Sequence, residues 1–168
     1  MAPTASLYDL YLTAGCAGEP PLADLLGTIP GLADAAVYAR LLQRAPGPGF
    51  LGLDLPADAA RVLLGRLMRA EARGELVPVA YRRPRIATQA GHSIAERALT
   101  AQAGREFPGY TFHPVRYWRE GPRWWVFGMI ADALVDQGHV PGGVLAYVDK
   151  LDGHIWQPDE LQRLFDAR

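Results

Sequence analysis

The chain has one cysteine, Cys16, and one lysine, Lys150, against sixteen arginines. A single thiol excludes an intrachain disulfide and makes a cytoplasmic location the default expectation. The lone lysine, with the abundant alanine, glycine and proline, reads as base-composition bias and carries no functional assignment. Charge of one sign is also lacking, since the formal net charge is −1. A dedicated nucleic-acid binder would carry a basic excess, so none is expected as a partner. No stretch approaches the roughly 20 apolar residues of a membrane span, and the opening MAPTASLYDL lacks the basic start and apolar run of a secretory signal.

Reactive constellations are missing as well. The four histidines, His92, His113, His139 and His154, are scattered without metal-ligand spacing, and neither HExxH nor CxxC occurs. Surface or structural roles are the expectation for each. Gly138 to Gly143 is rich in glycine, but no Lys-Ser/Thr follows, which excludes a phosphate loop. Asp149 to Gly153 faintly resembles a calcium loop, yet lacks the further oxygen ligands and the closing glutamate; a hairpin turn explains it better. Cys16, in AGCAG, has no identifiable histidine partner for nucleophilic work. Asp132 and Asp136 could exchange protons only inside a cleft that shifts them, and an exposed turn is expected there. The expectation is therefore a non-enzymatic protein with no cofactor and no metal.

What is present is a core: 49% of the residues are hydrophobic, enough for one ordinary domain or two small ones. Leu7 to Thr13 alternates as a strand. Pro20-Pro21 opens a short helix running to Ile29, and Asp34 to Arg44 forms a second. Asp54 is placed to cap a third helix, with Ala59, Val62, Leu63, Leu67 and Ala70 as its apolar stripe and Gly74 as its closing residue. Leu76 to Tyr81 then reads as a strand, with Pro78 marking an edge position. The first half is thus β-α-α-α-β, residues 1–81, with its first and last strands side by side. Arg82 to Gly91 reads as a connector, either solvated or touching anions.

Residues 92–168 read α-β-β-β-(β)-α around an antiparallel sheet, which makes the whole chain α+β. Ser93 and Glu96 match a capping box opening a helix from Ile94 to Phe107. Strands are expected over Tyr110 to Arg119, Arg123 to Ile130 and Val144 to Asp149, with a short one at His154 to Gln157, then a terminal helix over Pro158 to Phe165. Seven of the sixteen aromatic residues lie between Tyr110 and Phe127. Strict alternation puts Phe112, Pro114, Arg116 and Trp118 on one face, and Thr111, His113, Val115, Tyr117 and Arg119 on the other. Arg123, Trp125, Phe127 and Met129 oppose Trp124, Val126, Gly128 and Ile130. Both faces are apolar, and one helix covers one face. The second face is either a seam between the halves or a surface for a protein partner, a second copy included. Trp, Tyr and Arg dominate binding energy at interfaces, so Tyr117, Trp118, Arg119, Arg123 and Trp124 are the candidate partner-binding residues.

The segments SIAERALTAQAGREF, VRYWREGPRWWVFG and GGVLAYVDKLDGHIW resemble, in that order, the YrhB-type immunity domain of bacterial toxin–immunity systems. The Asp149-Lys150 pair followed by a small turn and Gly153-His154-Ile155 carries the likeness, with His154 where the family has glutamate. The resemblance implies neutralisation of a toxin or effector by direct contact. The stretch from Asp34 to Ala80 resembles the domain shared by the ribosomal stalk protein's C-terminus and the Clp protease adaptor, although the adaptor's Asn-Asp and the stalk's lysines are absent. That second likeness implies an adaptor or scaffold holding a peptide or helix through the first half.

Overall fold

In a computed structural model, residues 6–13, 49–69 and 73–166 are described. They are mixed α+β, with four α-helices and two three-stranded antiparallel sheets. Two compact units follow one another, Met1–Arg82 and Arg83–Arg168. The helices expected before Arg44, together with Cys16, lie outside the described residues.

In the first unit, β1 (Tyr8–Leu12) is central, flanked by β2 (Gly49–Phe50) and β3 (Gly74–Pro78), both antiparallel to it. The expected pairing of first and last strands is present, in a register that sets Leu10 against Leu76. Beyond β2 the chain continues along β1, where Leu51 N–H donates to the Leu10 carbonyl and Tyr8 bridges Leu55. Period-two spacing turns Leu51, Leu53 and Leu55 inward together. They meet Leu10, Leu12 and the helix α1 (Ala57–Arg69) in one core.

Helix α1 is rotated from the expected stripe. Ala60, Leu63 and Leu67 are buried, whereas Val62 is 51% exposed. The 63/67 pair sets the axis of the face, and 60 and 64 flank it at helical spacing while 62 falls outside. Asp54 does not cap this helix; its carboxylate meets Arg82 at 2.7 Å. Gly74 lies in β3, where a Cβ would come within 2.8 Å of the Tyr11 carbonyl. Strand β3 is an edge, as Pro78 implies, and it stops at that proline in a tight 3-10 turn, Val79–Arg82.

This unit closes on a buried carboxylate. Asp9, fully buried, accepts backbone N–H groups from Leu10, Gly52 and Leu53 and the Arg82 Nε at 2.6 Å. A charge removed from water is tolerated when its lone pairs are filled in this way. Arg82, expected in an unstructured connector, is therefore held by Asp9, by Asp54 and by the Leu53 carbonyl.

The second unit packs α2 (Thr88–Glu106) on a sheet of order β4 (Arg116–Glu120), β5 (Trp124–Ile130), β6 (Gly143–Asp149). Helix α2 begins more than a turn before the expected capping box. Ser93 sits inside it, its hydroxyl donating to the Gln89 carbonyl. Tertiary contacts draw the extra turn in: buried Gly91 lies against Trp125 and Phe127, where a Cβ would meet the Trp125 ring at 3.1 Å, and the Trp125 indole donates to the Ile86 carbonyl. Strand β4 is shorter than expected, for Tyr110 to Val115 is irregular. The stretch expected as an exposed turn forms a short helix, α3 (Asp132–Asp136). The fourth strand reduces to one bridge, Ile155 to Val148, before α4 (Pro158–Asp166).

Candidate functional site

The two faces of β4-β5-β6 differ in what covers them. On one, Trp125, Phe127 and Met129 face Val144, Ala146 and Val148, and Ala95, Leu99 and Ala103 of α2 close over them. On the other, Trp124, Val126 and Gly128 pair with Asp149, Tyr147 and Leu145. Aromatic rings cluster on it. Trp124 packs edge-on to both Tyr147 and Trp156, at 5.7 and 5.5 Å between ring centres. Trp118 lies across Gly128, where an added Cβ would stand 2.9 Å from its ring. Glycine is what allows the indole to lie that close to the sheet.

A bulge in β4 shapes the outer part of this face. Tyr117 opposes Phe127 and Arg119 opposes Val126, leaving Trp118 as the extra residue. Two residues facing one break the strict alternation. Arg119, expected beside Tyr117, instead shares the aromatic face with Trp118, and its guanidinium reaches the Tyr147 hydroxyl at 3.4 Å. Tyr117 turns to the other side, its ring 6.0 Å from Phe127. Burial, and secondarily the Glu120 carboxylate, hold its phenol above the ordinary tyrosine value.

Of the five candidate partner-binding residues, Trp118 (44% exposed) and Arg119 lie outward on the aromatic face. Tyr117 is 48% exposed across the strand edge, Arg123 is half-buried, and Trp124, at 5%, is part of the packing beneath. All five residues of β4 are exposed, and no other strand pairs its outer edge among the described residues. Nor does any carboxylate among the described residues pair with Arg116 or Arg119.

The Asp149-Lys150 dipeptide fastens the two faces at one end of the sheet. Asp149, 4% exposed, takes the Trp156 indole N–H at 2.9 Å on the aromatic side and the Leu151 N–H at 2.7 Å. Lys150, 2% exposed, turns to the helix side. Its Nζ stands 4.1 Å over the Trp125 ring and 2.5 Å from Glu120. Its carbonyl accepts the N–H groups of Arg85 and Ile86, so the stretch read as a connector is pinned there. A compact ammonium suits the narrow space between ring and carboxylate where a guanidinium fork would not. Sequence reasoning passed over this role. Its signal was the sole lysine, at the end of a buried strand in a chain otherwise furnished with arginine.

The remaining polar groups sit in local structure. His92 contacts the Val115 carbonyl, His113 pairs with Asp132 at 2.9 Å, His139 lies edge-on to Phe107, and His154 meets Glu160 at 2.8 Å. The Gln157 N–H, followed by His154, draws the Glu160 carboxyl below its usual value. Asp149 to Gly153 is a turn: Gly153, at φ +79°, donates its N–H to the Asp149 carbonyl. Among the described residues no group of three or more His, Cys, Asp or Glu side chains is arranged to hold a metal, and no helix is long and apolar enough to cross a membrane. Comparison with protein-family models, with curated proteins and with solved structures finds no match.

Proposed function

We propose that this chain is a non-enzymatic protein-binding protein, and that it acts as an immunity protein, neutralising a bacterial toxin or effector by direct contact through the aromatic and arginine face of its second unit. The observation that supports this most is the presentation of Trp118. A half-exposed indole is fixed over Gly128, on a wholly exposed terminal strand, between two arginines that no described carboxylate neutralises. An aromatic anchor ringed by cations, already ordered before binding, loses little conformational entropy on association. Trp118 and Arg119 supply the contact, Arg116 and Arg123 the rim, and Trp124 the support beneath, while Tyr117 borders the contact from across the strand edge. The order of motifs around Asp149-Lys150 supports the immunity reading in particular.

The test is co-expression with the toxin or effector encoded beside this chain. Protection by the native chain, abolished in the Trp118→Ala, Arg119→Ala double variant at equal protein level, is the expected result. Protection that persists in the double variant removes these residues from the contact.

A further inference from the structure

The same surface carries a statement about the shape of the partner, and it rests on the binding role just proposed. A terminal strand with nothing beside it offers a row of backbone donors and acceptors to an incoming chain. Strand β4 has this position, and all five of its residues are exposed. Beside it lies a hollow of about 240 Å³ walled by Pro114, Arg116, Tyr117, Trp118 and the sheet residues Gly128 and Ile130. It can accept a large apolar side chain projecting from an adjacent strand. Arg116 and Arg119 flank Trp118 along the same strand.

We infer that the partner docks by strand addition: an extended, acidic segment of the toxin or effector pairs with the outer edge of β4, seats an apolar side chain in the hollow beside Trp118, and sets carboxylates against Arg116 and Arg119. In strand addition the backbone ladder supplies affinity and alternate side chains supply specificity. The charge on β4 determines which segment is chosen. Glu120 is engaged by Lys150, so the strand presents net positive charge outward, and a basic segment is repelled. The bulge at Trp118 limits regular pairing to a short run and disfavours long edge-to-edge association between copies.

The experiment uses the full chain and three synthetic fluorescent decapeptides read by polarisation: a Leu-Glu peptide with Glu, Leu and Glu at every second position and Thr between them, so that all three project to one face; a Leu-Lys peptide with Lys in place of each Glu; and the Leu-Glu peptide N-methylated at alternate residues on its pairing edge. The Leu-Glu peptide is expected to bind saturably and at least roughly tenfold more tightly than Leu-Lys, and N-methylation is expected to abolish binding. Arg116→Glu with Arg119→Glu, both exposed and so compatible with folding, is expected to reverse the charge preference. Equal binding of the N-methylated peptide overturns strand addition and leaves side-chain docking on the aromatic face standing. No binding of the Leu-Glu peptide, or a preference untouched by the charge reversal, also overturns it. The co-expression assay then reports separately whether the face contacts a toxin at all. Self-association of the chain that excludes the Leu-Glu peptide assigns the edge to a second copy and overturns the acidic partner.

Discussion

The helix-covered face and the aromatic face of one small sheet solve the same burial problem with different means. On the first, α2 lays alanines and a leucine over Phe127 and its aliphatic neighbours, and Phe127 and Leu99 become fully inaccessible. On the second, Val126 is equally inaccessible, but Trp124, Tyr147 and Trp156 are gathered over the strands, with Trp118 at the outer margin. Rings are amphipathic and large, so a face roofed by them excludes water from the strands while still offering apolar surface outward. The helix side is built for stability. The aromatic side combines stability beneath with exposed contact groups above.

That contrast is broken most severely at its centre. Phe127→Ala should cost about 3–5 kcal/mol by urea unfolding, while Trp118→Ala, on the exposed margin, should cost no more than about 1 kcal/mol. Comparable losses at both positions would erase the distinction between the faces. Next comes the clasp. Lys150→Met should cost about 2 kcal/mol, less than a fully buried pair because Glu120 is 49% exposed. Native-state hydrogen exchange should rise at Arg85 and Ile86, whose N–H groups rest on the Lys150 carbonyl. Gly128→Ala should cost about 1–2 kcal/mol, because the new methyl meets Leu145 and Trp118 at under 3 Å. A shift in tryptophan emission absent from the Trp118→Phe background would locate the disturbance on the aromatic side.

The smallest effect concerns the C-terminal helix. The Glu160 carboxylate accepts the Gln157 N–H and meets His154, and its pKa lies below the ordinary value. A depressed carboxyl stabilises the fold fully above its unfolded pKa and loses that contribution as pH falls through the folded one. Fraying of α4, followed by amide exchange, should therefore set in on acidification below the ordinary glutamate range. Glu160→Gln should remove this pH dependence while leaving the sheet's exchange unchanged.

Much of the scaffold was legible because it is local. Alternation identified β1 and β5, and Pro78 correctly marked an edge. The misses have tertiary causes. Ser93 and Glu96 form a plausible capping box, but Gly91 against Trp125 and Phe127 pulls the helix start back to Thr88. Half of that device lies at the other end of the unit, where the Glu160 carboxylate accepts the N–H of Gln157. Val62 looked apolar enough to be inside, yet Leu63 and Leu67 decide which way α1 turns. The bulge that moves Arg119 beside Trp118 is set by pairing between strands, and period-two counting along one strand cannot register it. Asp9 and Arg82, seventy-three positions apart, meet only because β1 is central in its sheet.

The central claim is that the exposed aromatic and arginine groups serve association rather than folding. The most direct measurement sets stability and affinity side by side for one protein, the Trp118→Ala, Arg119→Ala variant. Its Tm and its Kd for the proposed toxin or effector partner are compared with those of the native chain. Affinity should fall by roughly a thousandfold, since two anchor residues of this kind carry about 2 kcal/mol each, with Tm lowered by only a few degrees at most. An unchanged Kd, or a Tm that collapses together with binding, would contradict it.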